Sequence, residues 1–279
     1  MSKISEKDES LRLMQKWIKW FYNRDMKNTS NWIRFIYNNI IKDEFSDFIK
    51  DYNEVIYAYK NDIEKKGQYH IECMAIIWKI YMDVINNTKD FSKCLNILNP
   101  LYKHYIDSYH NVARLSEIHD FNNLNSSIKY YLYCFFYLIS IEGVYTNWIK
   151  TLYGLYKTSK KEKITLNGID NMKISKIREI MTEDKPYYDI LFDGYKDGNY
   201  RNAIAHSDFK LIDEETMEFK HFHKGVEKFH DVINISDFYD LFTKIFTVSE
   251  ISSEFIYIAS LRDICMKYFS QYKDKMILP

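Results

Sequence analysis

With 279 residues the chain is long enough for one large domain or two small ones and for a substantial core. Its 39 basic and 39 acidic side chains balance to a formal net charge of zero, which excludes nucleic-acid binding through an overall positive field; any RNA contact must come from a local patch. Tyr and Phe are abundant (25 and 18) while Gly and Pro are rare (7 and 3), a shortage of helix breakers that predicts long helices.

The first residues, Met1 to Glu9, are charged and lack the apolar core of a signal peptide. From about Glu9 to Tyr22, Leu11, Met14, Ile18 and Phe21 share one helical face. Asn28-Thr29-Ser30 supplies an N-cap for a second helix carrying Trp32, Ile33, Ile36 and Ile40. A third stripe runs through Phe45, Phe48, Ile49, Tyr52, Val55, Ile56 and Tyr59 until Gly67 breaks it. Ile71 to Val84 is apolar on most sides and belongs deep in a bundle. A further pair of helices is expected around Cys94–Tyr109 and Val112–Ile118, with Pro100 near a bend or helix start. His70, His104, His110 and His119 are scattered and read as surface or helix-end histidines. Cys73, Cys94, Cys134 and Cys265 form no Cys-x-x-Cys pair, the pattern of reduced, buried thiols in a cytoplasmic protein.

Ser126 or Ser127 can cap the next helix, which contains the uncharged run Tyr130 to Ile141. That run is too short to span a bilayer and is expected to be the central buried helix. At its end stand Glu142, the only charge between Lys129 and Lys150, and Gly143. A carboxylate in such surroundings needs a hydrogen-bonding or charged partner, for which Arg201 is the candidate. A structural ion pair or an exposed carboxylate is the alternative. Eight Lys/Arg then fall between Lys150 and Arg178, among them Lys157, Lys160, Lys161 and Lys163, and the middle of this stretch, from Thr158 to Gly168, reads as a loop between helices. Those four lysines are candidates for contacting RNA phosphates, or simply a solvated loop.

The segment Tyr200-Arg201-Asn202-Ala203-Ile204-Ala205-His206-Ser207-Asp208 carries the chemistry. A helix is expected here after a turn-rich lead-in, with Asp197 or Asn199 as N-cap. Asn202 and His206, four apart, share a face, so the amide can fix the imidazole tautomer. Arg201 and His206, five apart, lie about 140° round an ideal helix. They meet on one ligand only if the helix ends at His206 or a second copy of the segment faces the first. Arg is a permanently charged fork matched to phosphate oxygens, and His exchanges protons near neutrality. Together they suffice for attack of an RNA 2′-hydroxyl on its own phosphodiester without a metal or cofactor. Beyond the motif, Phe209 and Leu211, then Met217, Phe219 and His221, alternate with polar residues and predict a β-hairpin. His221 and His223 would share a strand face, a spacing that can bind metal but with no Cys or acidic ligand beside it. Ser236 is expected to cap two closing helices.

Arg201-Asn202-Ala203-Ile204-Ala205-His206 matches the Arg-Asn-x-x-x-His signature of the HEPN superfamily, and Tyr-Arg-Asn-Ala-Ile-Ala-His-Ser resembles the version in its defence-type proteins. The resemblance covers about the last 170 residues, with a specific match over the six-residue core. It implies an all-α helical bundle, here 116–279, preceded by an N-terminal helical extension, 1–115, with the hairpin after the motif. It also implies a metal-independent endoribonuclease acting as a homodimer with a composite site, in a toxin or phage-defence setting where a protein partner can neutralise or regulate it. Arg201 would hold the scissile phosphate, His206 move the proton, Asn202 orient the imidazole and Glu142 position Arg201. The alternative is a non-catalytic module that binds RNA, a nucleotide or a protein. In HEPN toxins silenced by a nucleotidyltransferase a Tyr stands two residues beyond the His; here it is Asp208, which argues against that regulation.

Overall fold

A computed structural model describes residues 67–87, 91–116 and 124–268. The helices expected before residue 67, and the histidine at 119, lie outside them. The uncharged run 130–141 forms the first half of a continuous helical rod. Helix α3, with α1 (Gln68–Asn87) and α2 (Phe91–Ser116) before it, spans Ser126–Ile139 and passes through a π-helical turn, Ser140–Tyr145, into α4 (Thr146–Ser159). The dihedrals stay helical at both junctions. Gly143 therefore does not end the helix. It lets α2 approach: a Cβ there would stand 2.4 Å from Ser108 Oγ. The cap at the rod's start is Asn125, whose side chain accepts from Ser127 N at 2.8 Å, rather than either serine.

Around the rod pack α1, α2, the short α5 (Leu166–Asp170), α6 (Ile174–Asp184) and the terminal α8 (Ile235–Tyr268). α2 is one helix with Pro100 inside it, where two were expected. It docks on α4 through Tyr102 and Tyr105, whose rings lie 5.7 and 4.7 Å from that of Trp148. α1 buries Cys73, Ile77, Ile80, Tyr81 and Val84. These residues belong to the same continuous core as Trp148, Leu152, Phe238 and Ile245, so the helices assigned to an N-terminal extension share their packing with those beyond residue 116. α8 is also a single helix rather than two. Its cap is Asn234, whose Oδ1 accepts from Ser236 N (3.2 Å) and Oγ (3.1 Å). Cys73, Cys94 and Cys134 are buried free thiols; burial pushes Cys73 up to about 12 and Cys94 up to about 11.

The non-helical part is a three-stranded antiparallel sheet, β1 (Phe209–Leu211), β2 (Thr216–His223) and β3 (Val226–Asn234), in that spatial order. The alternation through Met217 and Phe219 anticipated two strands. The third escaped because its apolar Val226 and Val232 face solvent. Lys224 and Gly225, both with positive φ (52° and 76°), make the tight β2–β3 turn. No helix among the described residues is long and apolar enough to cross a membrane.

Candidate functional site

The motif is held from both sides. Before it, two short 3₁₀ stretches, Pro186–Phe192 and Lys196–Gly198, lie across the rod. Tyr145 Oη donates to Leu191 O (2.8 Å) and Tyr137 Oη to Gly194 O (3.0 Å). Arg178 of α6 binds the carboxylates of Asp189 and Asp197. Helix α7 (Asn199–Ala205) then starts from Gly198, left-handed at φ 73°, with no side-chain cap. Asp197, one of the two expected caps, is engaged by Arg178 instead. After the lead-in, Tyr200 pins the helix down. Its ring meets Phe219 and Phe229 edge-on, each at 5.1 Å, and its hydroxyl donates to Asp231 of β3.

This frame presents Arg201 toward the π-helical turn. Arg201 Nε donates to Glu142 Oε1 and Nη1 to Asn202 Oδ1 at 2.9 Å. The pairing anticipated for the lone carboxylate is thus observed. The role expected of Asn202 is not: its carbonyl oxygen is used by the guanidinium, and its link to His206 is the backbone bond from His206 N to Asn202 O (3.1 Å). The Arg201 and Glu142 side chains are 37% and 47% exposed, so their attraction is worth roughly 0–1 kcal/mol. What the contact contributes is orientation of a fork-shaped donor rather than stability.

His206 caps the C-terminus of α7 with non-helical dihedrals (φ −97°, ψ 4°), so the helix ends at His206, which was one of the two arrangements left open by the sequence. Ser207, at φ 58°, turns the chain into β1. The imidazole is exposed and stacks on His221 of β2, with ring centroids 5.7 Å apart and planes inclined by 19°. Both ends of the motif therefore face solvent. Among the described residues, clefts of about 460 and 530 Å³ lie around Arg178 and around Pro186 and Tyr187.

The lysines do not gather at this site. Lys157 pairs with Glu162 and Lys160 with Asp184, while Lys161 and Lys163 are exposed in the connection to α5. Lys157 is fifteen residues along the rod from Glu142, about 22 Å at the helical rise. Three residues near the motif were not anticipated. Tyr195 stacks on Tyr145 of the π turn at 6.0 Å; burial pushes its phenol up, and the nearby Arg201 charge pulls it back down. Asp231 and His221 come from the sheet, and only the strand register brings them in. On that sheet Lys210, Lys220 and His230 surround Glu218 and hold its carboxyl down at about 2. Among the described residues no three His, Cys, Asp or Glu side chains are grouped to hold a metal. Comparison with protein-family models, with curated proteins and with solved structures finds no match.

Proposed function

We propose that the chain is a metal-independent endoribonuclease of HEPN type. The observation that carries this reading is a guanidinium steered by Glu142 and Asn202 on the short helix that ends at an exposed imidazole. In this reading Arg201 grips the scissile phosphate and the charge that develops on it. His206 takes the 2′-hydroxyl proton, the 2′-oxygen attacks phosphorus, and the ester bond to the 5′-oxygen breaks as that oxygen picks up a proton. The products are a 2′,3′-cyclic phosphate and a 5′-hydroxyl. Asn202 acts on the arginine rather than on the imidazole. The open surface suits a polymer substrate better than a small molecule.

A homodimer belongs to the same proposal. Ile128, Tyr131 and Phe135 are each about half exposed on α3, at helical spacing, and Tyr131 packs on Phe209 just beyond the motif (5.5 Å). An apolar stripe beside the Arg201 face is where a second copy would sit and bring its own motif close. A toxin or phage-defence role, with a neutralising protein partner, is the setting the signature suggests for such an activity.

The test is incubation of purified protein with RNA in EDTA. Cleavage by the wild type should fall about 10²–10⁴-fold in Arg201→Ala and in His206→Ala. One observation favours a rival: the Arg201 charge is already met by Glu142, as in a module that binds RNA, a nucleotide or a protein without cutting. Intact RNA, retained on the protein and released by Arg201→Ala, would select that module.

A further inference from the structure

His221 reached the site through the register of the sheet, and its surroundings are unusual for a packing residue. β1 pairs with β2 as Phe209↔Phe219, so extending the ladder places Ser207 opposite His221 and His206 beside it. The bond from Lys220 N to Asp208 O (2.7 Å) fixes that extension. Between His221 and Phe222 the strand is bulged, which turns the chain away just past the imidazole. His221 Nδ1 is buried and has no hydrogen-bond partner among the described residues, so it takes no part in proton exchange with a ligand. The ring as a whole is only partly buried, leaving Nε2 as the nitrogen able to exchange a proton with a ligand. Two nearly parallel imidazoles, 5.7 Å apart, thus stand at the exposed end of the motif.

We propose that His221 is a second catalytic imidazole, the general acid that protonates the departing 5′-oxygen while His206 deprotonates the 2′-hydroxyl. This rests on the ribonuclease reading above and adds to it a residue outside the signature. The balance closes. His206 gains the 2′-hydroxyl proton as the 2′-oxygen–phosphorus bond forms. His221, protonated beforehand, gives its proton to the 5′-oxygen as that phosphorus–oxygen bond breaks. Solvent then returns each ring to its starting state, and nothing is oxidised or reduced. The need for an acid is set by the leaving group: an alkoxide, like hydroxide, is a far stronger base than a thiolate and leaves poorly without a proton. A thiolate, from a thiol of pKa ~8.5, leaves without one.

That difference supplies the test. An RNA oligonucleotide is made with sulfur in place of the 5′-bridging oxygen at the position where the wild type is found to cut. His221→Phe keeps an aromatic ring to stack on His206, and His221→Gln keeps a polar group; circular dichroism and melting temperature check that both fold. The expected result is that both variants lose about 10²–10⁴-fold on the oxygen substrate and regain rates within about threefold of wild type on the sulfur substrate. Equal losses on both substrates, or full activity of folded His221→Phe on the oxygen substrate, would make His221 a supporting ring and overturn the proposal while leaving the nuclease reading intact. A wild type that cuts neither substrate would overturn both.

Discussion

At the scale of single residues, the site turns on how little of its geometry is stability. An ion pair as exposed as Glu142–Arg201 contributes at most about 1 kcal/mol, yet it fixes which way the guanidinium faces. Glu142→Gln should therefore leave the melting temperature within about 2 °C of wild type while cutting RNA cleavage about tenfold. A clear loss of stability with unchanged cleavage would instead mark a structural ion pair. Glu142 was legible in the sequence for a physical reason: one carboxylate in a long uncharged run stands out, and Arg201 was its candidate partner. The task of Asn202 was not. Ideal helix spacing points it at His206, whereas the flexible arginine beside it curls round to take the amide first. His221 was seen as one of a histidine pair on a strand, but its contact with His206 depends on a register that no local pattern encodes.

At the scale of elements, the helical stripes over Ile71–Val84, Cys94–Tyr109 and Ser126–Ile141 were readable, but the joins were not. Pro100 and Gly143 look like breaks, and both sit inside helices. At Gly143 the reason is packing: Ser108 occupies the space a side chain would need. Gly143→Ala should force α2 away from the π turn and cost about 1–3 kcal/mol in urea denaturation, with Ser108→Gly recovering part of the loss. If the single change proves neutral, the π turn has more freedom than this contact allows. The sheet makes a separate prediction. The folded Glu218 carboxyl titrates near about 2, below its unfolded value of about 4.3, so the stability it adds is complete above the unfolded value. That stability should fade as pH drops from about 4.3 toward about 2, because the unfolded chain takes up the proton first. The difference in denaturation midpoint between wild type and Glu218→Gln should accordingly shrink over that window. A difference that does not vary with pH would mean that the amide's loss is steric.

At the scale of the whole molecule, one core joins the helices on both sides of residue 116, and the motif buries Tyr200, Ala203 and Ile204 in it while leaving Arg201 partly exposed and His206 exposed. Such a surface can complete a phosphodiester site in two ways: from Arg201 and His206 of one protomer, or from Arg201 of one and His206 of its partner. Mixing separates them. If partners share each site, Arg201→Ala protein combined with His206→Ala protein forms mixed dimers in which one of the two sites has both groups intact. Random reassortment makes half the dimers mixed, so cleavage should return to about a quarter of the wild-type rate although each variant alone is inactive. Phe135→Glu, placing a charge on the exposed α3 stripe without disturbing the core, should halve the mass seen in sedimentation and abolish that rescue. Mixed dimers that form and remain inactive would assign each site to a single protomer, with the stripe serving assembly alone.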